Sequence, residues 1–106
     1  MSHRKHRRKQ IARERIERLF TLAEHRALQS DMELANRYIA LARKLSMKYL
    51  VRLSSSQRRR FCHSCYRYLM PGKTCRVRTG DHRLTITCQH CGAVMRFPYR
   101  EHHAPA

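Results

Sequence analysis

The stretch RRRFCHSCYRYLMPGKTCRVR, residues 58–78, holds three of the chain's five cysteines, and the other two arrive together in CQHCG, residues 88–92. Which four act together decides the fold. Cys62-x-x-Cys65 and Cys88-x-x-Cys91 form two C-x2-C turns with 22 residues between them, close to the spacing at which two such turns clip one tetrahedral metal ion. Each turn brings two thiolates onto the ion while its own amides point at the sulfurs. Gly92, directly after Cys91, suits the positive φ that such a turn often needs; the first turn carries Tyr66 there instead.

Four thiolates leave no open position for water, so one structural ion is expected rather than a catalytic one. Zinc (Zn2+) is the expected ion. Iron in a rubredoxin-like site uses the same ligands, and spacing alone does not separate the two. Cys75 is left over. It shares a strand face with Val77, where a free cysteine packs as a small hydrophobe. His63 and His90, inside the turns, are expected to face solvent or a phosphate.

Between and beyond the turns the apolar period is two. TCRVRT and RLTITC bracket the Gly-Asp turn of TGDH, and AVMRFPY makes a third run that Pro98 confines to a sheet edge. Such a sheet buries too little to fold alone, and metal ligation is expected to supply its stability, on the order of 10–16 kcal/mol in comparable modules.

Upstream the period lengthens. Ala12, Ile16, Leu19, Phe20, Ala23 and Ala27 recur at three- and four-residue steps and predict a helix over residues 11–28, with Glu14 and Arg18 paired on its outer face. Ser30 and Glu33 fit an S-x-x-E capping box that starts a second helix over residues 31–53, whose apolar side carries Leu34, Tyr38, Leu41, Ala42, Leu45 and Tyr49. A short break predicts an antiparallel αα-hairpin. Leu50, Val51 and Leu53 widen its apolar surface, to be covered either by the C-terminal module or by a second protein.

The expected fold class is therefore small α+β: an N-terminal antiparallel helical hairpin followed by a C-terminal zinc ribbon with a small antiparallel sheet. The expected organisation is a basic disordered arm (1–10), the hairpin (11–53), a basic linker (54–61), the ribbon (62–99) and a disordered tail (100–106).

Charge sets the partner class. The chain has 24 Lys and Arg against seven Asp and Glu, a net charge of +17. Five of the acids (Glu14, Glu17, Glu24, Asp31 and Glu33) lie in the first third, and between residues 36 and 100 fifteen bases face one acid, Asp81. Such a surface points to nucleic acid. The alternatives are a solvated face without a partner, or an anionic membrane, for which no basic amphipathic helix with aromatic insertion stands out. Candidate RNA-binding residues are Lys48, Arg52, Arg58, Arg59, Arg60, Arg67, Lys73, Arg76, Arg78, Arg83, Arg96 and Arg100. With six to eight phosphates neutralised, affinity falls by several decades over a modest rise in salt. Tyr66, Tyr68, Phe97 and Tyr99 interleave with them as candidate base-stacking or core residues.

The opening MSHRKHRRKQ has no apolar signal core, and no run of 18 apolar residues occurs. An intracellular, cytoplasmic protein is expected, and an odd cysteine count argues against a disulfide framework. Catalysis by this chain is not expected. From Asn36 onward the only carboxylates are Asp81 and Glu101, too few to build a two-metal phosphodiesterase site.

The order of pieces goes further. The helix LANRYIALARKLSMKYLVRL, an arginine run into CHSCYRYLMPG, then CRVR and a closing CQHCG, resemble the component 4 protein family of archaeal ribonuclease P, counterpart of a zinc-containing subunit of the eukaryotic enzyme. The resemblance covers about residues 11–98, with PGKTCRVR and the junction into Cys62 its most specific parts. It implies an L-shaped hairpin and ribbon in a holoenzyme that removes the 5′ leader of precursor tRNA. Cys62, Cys65, Cys88 and Cys91 become the zinc ligands, and the arginines of 58–60 and 76–78 basic contacts. The implied partners are the specificity region of ribonuclease P RNA, another small protein subunit docked on the hairpin and, indirectly, precursor tRNA. The alternative is a ribosomal or transcription-type zinc ribbon.

Overall fold

A helix forms where apolar residues share a stripe, and Ala12, Ile16, Phe20, Ala23 and Ala27 are all buried on one side of helix α1, His3–Leu28. They face Ala35, Ile39 and Ala42 of helix α2, Met32–Tyr49. Alanines on both sides let the two backbones approach closely, while Ile16, Ile39 and Phe20 supply the bulk, each worth about 2–3 kcal/mol of burial. In the computed structural model, which describes residues 3–98, the chain continues through a single-turn helix α3 (Ser55–Arg58) into strands β1 (Cys75–Gly80), β2 (Arg83–Cys88) and β3 (Val94–Pro98).

Five local expectations are corrected. The basic segment before Ile11 is helical from His3 rather than a disordered arm. It contains no glycine, proline or β-branched residue, and once the packed turns downstream have nucleated the helix, extension through Lys, Arg and Gln costs little. The second helix starts one residue later than the Ser30 box implies. Asp31 is its N-cap, accepting from the Leu34 amide at 3.2 Å, while Ser30 takes a left-handed φ of 66°.

That helix also ends at Tyr49 instead of reaching Leu53. Leu50 adopts φ 53°, the Ser46 hydroxyl donates to the Val51 carbonyl at 2.7 Å, and Val51 is swung into the core. The supposed linker holds α3, closed by a complete capping box between Ser54 and Gln57.

The sheet is antiparallel in the order β1-β2-β3. Asp81 and His82, both at positive φ, form the two-residue turn between β1 and β2, and Gly80 pairs with Arg83 as strand. This is the twist-matched primed turn, displaced by one residue from the expected Gly-Asp. The hairpin's edge is covered from within the chain: Val51, Phe61 and Tyr68 are buried with the helices, and Leu53 and Met70 pack against them. Three polar ties cross between the modules: Tyr68 N–H to Asn36 Oδ1 (2.7 Å), Lys73 Nζ to Ser30 Oγ (2.9 Å) and Arg60 to Glu24 (3.3 Å).

Among the described residues no helix is long and apolar enough to cross a membrane.

Candidate metal centre and nucleic-acid interface

The two C-x2-C turns are built alike. In the first, the Tyr66 amide donates to the Cys62 carbonyl (2.8 Å) and the Cys62 amide to the Arg67 carbonyl (2.9 Å). In the second, Gly92 donates to Cys88 and Cys88 to Ala93, each at 2.9 Å. The residue after the second cysteine is left-handed in both, Tyr66 at φ 63° and Gly92 at φ 81°. Tyr66 thus performs a glycine's conformational task, with the Arg43 guanidinium seated 3.5 Å from its ring centre.

Together the turns bring the Sγ atoms of Cys62, Cys65, Cys88 and Cys91 within 4.8 Å of one another. Cys62 and Cys91 are 3.5 Å apart, Cys65 and Cys88 3.7 Å. A tetrahedral ion with bonds of about 2.3 Å needs sulfur edges of about 3.8 Å, so the four thiols fit one metal ion with little movement. The amides of Ser64 and Cys65 both point at Cys62 Sγ from 3.4 Å, supplying partners for a thiolate charge. Without metal, burial above all pushes the Cys65 thiol up to about 12, with the other three thiols acting in the same direction and the Arg67 amide opposing.

Cys75 lies outside this group and is buried against Leu69, Ile86 and Cys88. Burial, then the proximity of Cys88, raises its pKa, which makes it an inert packing thiol. His63 does not simply face solvent: its ring packs between Phe61 (5.1 Å) and Phe97 (6.0 Å), and Nε2 lies 2.7 Å from the Arg58 carbonyl.

The basic residues separate into groups. Register places Arg76 opposite Thr87, Arg78 opposite Thr85 and Gly80 opposite Arg83, and continues Thr85 to Arg96. With alternation, Arg76, Arg78, Arg83 and Arg96 share one face of the sheet with Thr85 and Thr87. All four arginines are exposed. The opposite face carries Cys75, Leu84, Ile86, Cys88, Met95 and Phe97 toward the metal site. Four guanidinium groups set among threonine hydroxyls on a small twisted sheet form a surface suited to phosphate.

Arg67 and Lys73 line a second cleft, beside Asn36 and Gln89. Arg52 and Arg60 line a third site with Arg13, which sequence reasoning did not single out because its partners come from another segment. Some of these candidates are also engaged internally. Arg60 pairs with Glu24, Arg59 lies over the Phe97 ring at 5.4 Å, and Lys48 sits 5.3 Å from the Tyr49 ring. Arg58 is exposed and contributes its carbonyl to His63. Of the aromatic candidates, Tyr68 is buried and Phe97 half-buried, while Tyr66 is exposed beneath Arg43. Arg100, Tyr99 and the expected disordered tail lie outside the described residues.

Residues 15–92 match the family described as the RNAse P Rpr2/Rpp21/SNM1 subunit domain. The chain is 46% identical over 94 residues to "Ribonuclease P protein component 4" of Thermococcus kodakarensis, covering 86% of this chain and 70% of that protein. It is also 46% identical over 91 residues to the protein of the same name in Methanococcoides burtonii, covering 86% and 83%. A chain of a solved structure described as archaeal ribonuclease P with mature tRNA superposes with a TM-score of 0.80 at 38% identity, covering 90% of this chain and 82% of that one.

Proposed function

Because the chain belongs to the RNAse P Rpr2/Rpp21/SNM1 subunit family, we propose that its sheet face and helical hairpin act within a ribonuclease P holoenzyme whose RNA performs the cleavage. The chain is an RNA-binding protein subunit of ribonuclease P, the endoribonuclease that produces the 5′ end of tRNA. One observation carries this: the family match, residues 15–92, runs from within α1 through α2 and both cysteine turns, so it takes in the helical hairpin as well as the four cysteines rather than a shared metal motif alone.

Zinc is the ion we assign to Cys62, Cys65, Cys88 and Cys91. The all-thiolate donor set suits it, and a closed site in a basic, RNA-directed protein has no use for a redox metal. When bound, it supplies a structural clamp and no reactive water.

The protein's contribution to cleavage is electrostatic. Arg76, Arg78, Arg83 and Arg96 are placed to neutralise phosphates of the specificity region of the RNA, and so help it hold precursor tRNA. The hairpin's outward apolar residues, Leu22, Leu41 and Met47 among them, are offered to a second small protein subunit. The compartment proposed is the cytoplasm.

An omission assay tests the reading. Precursor tRNA is cleaved by ribonuclease P RNA and its other proteins at limiting magnesium, with and without this chain. The chain is expected to raise the rate or lower the magnesium requirement, and its Cys88→Ser form to do neither. Unchanged cleavage with tight RNA binding would return the reading to a ribosomal or transcription-type ribbon.

A further inference from the structure

The cleft between α1 and residues 51–60, the third basic site described above, joins two modules and plays no part in the sheet-face reading. It encloses about 450 Å³, within the range of small-ligand sites. Its floor is core: Ile16, Phe20 and Val51. Its rim carries three guanidinium groups, Arg13, Arg52 and Arg60, and one carboxylate, Glu17. Arg60 is held in place by Glu24 at 3.3 Å. Arg13, Arg52 and the Glu17 carboxylate have no hydrogen-bond or ion-pair partner among the described residues.

Resting on the reading that the chain binds ribonuclease P RNA, we propose that this cleft receives one unpaired nucleotide of that RNA, with cytosine preferred over uracil. The mixture of groups selects the ligand. An acidic peptide would satisfy the arginines but repel Glu17, and a bare phosphate would have no use for an apolar floor. A nucleotide presents an anion and, on its base, a neutral hydrogen-bond donor. Its phosphate meets the guanidinium groups, its ring lies over the apolar floor, and an exocyclic amine gives Glu17 a donor. Cytosine carries that amine at N4, where uracil carries a carbonyl oxygen that would face the carboxylate. Unpaired bases are also the part of an RNA that a protein can take out of the stack.

The test uses the metal-loaded full chain, with the methyl groups of Ile16 and Val51 followed by NMR. The probes are a cytidine hexanucleotide, a uridine hexanucleotide, an abasic hexamer with the same phosphates, and hexaglutamate. The cytidine oligomer is expected to move both methyl signals and to bind about fivefold more tightly than the uridine one, the value of one hydrogen bond. Glu17→Gln, at an exposed position, is expected to remove that preference and leave the rest of the spectrum intact.

Equal shifts with the abasic hexamer would overturn base insertion in favour of phosphate contact. Shifts with hexaglutamate alone would make the occupant an acidic peptide and overturn the proposal. If the cleft signals stay still while ribonuclease P RNA binds and cleavage is stimulated, the cleft assignment falls and the subunit reading stands. If no RNA binds at all, both fall.

Discussion

The Arg43 guanidinium lies 3.5 Å from the centre of the Tyr66 ring, and that stack joins α2 to the first C-x2-C turn. Tyr66 occupies the place that Gly92 fills in the second turn, at a φ that costs a side-chain-bearing residue about 1–2 kcal/mol. The stack returns about 1 kcal/mol. Arg43→Ala and Tyr66→Ala, measured singly and together by chemical unfolding of the metal-loaded chain, are expected to couple by about 1 kcal/mol. Additive effects would mean that the stack does not support the turn.

Metal content separates the five cysteines. Cys88→Ser is expected to lose the ion and the sheet together, whereas Cys75→Ala keeps one ion and loses about 1–2 kcal/mol of packing. Native mass spectrometry reads both. An ion-free Cys75→Ala chain would place that residue among the ligands.

Metal affinity is expected to rise with pH. In the metal-free chain the Cys65 thiol, pushed up to about 12 chiefly by burial, stays protonated through the neutral range. Binding must displace that proton, so acid opposes it and alkali favours it, by about tenfold per pH unit for each proton released. Competition with a colorimetric chelator at several pH values measures the slope; a flat profile would show thiols already ionised.

The sheet face predicts a specific salt signature. Replacing Arg76, Arg78, Arg83 or Arg96 by Ala is expected to weaken RNA binding and to lower the salt slope by about 0.7–0.9 for each lost phosphate contact. Arg18→Ala, an exposed change elsewhere on α1, leaves the slope unchanged. Fluorescence titrations across salt concentrations distinguish the two. Equal losses at all five positions would point to diffuse attraction rather than a face.

Leu50 is 79% exposed and left-handed at φ 53°. Leu50→Gly removes the strain without uncovering core, and is expected to stabilise the chain by about 1 kcal/mol, seen as a rise in Tm. A fall would show that the side chain packs in solution.

The four-cysteine cluster was legible because its signal is local and discrete: two matched cysteine pairs separated by strand-period residues. The α1 stripe was legible for the same reason, down to the burial of Ile16 and Phe20, whereas in α2 the stripe is turned: Leu41, expected on the apolar side, is exposed, and the buried Ala35 and Ile39 were not expected there. Capping motifs were less so. The S-x-x-E at Ser30 and the S-x-x-Q at Ser54 look equivalent, yet only the second closes, since Asp31 takes the cap of α2. The long-range ties had no sequence signal. Asn36 and Tyr68 are 32 residues apart, and nothing in either neighbourhood announces the other. The left-handed Leu50 was invisible because its residue type argues against it.

Phe61 and Tyr68 leave the ribbon to sit in the helical core, and Asn36, Ser30 and Glu24 tie the hairpin back to the ribbon. If the four cysteines hold the ion proposed for them, its loss is expected to strip the helices of part of their own packing. Ion occupancy in this chain becomes a readout of the integrity of the whole polypeptide. A copy that never acquired the ion proposed for its four cysteines would uncover Phe20, whose ring packs on Phe61, to proteolytic surveillance, so metal supply would limit the number of intact subunits.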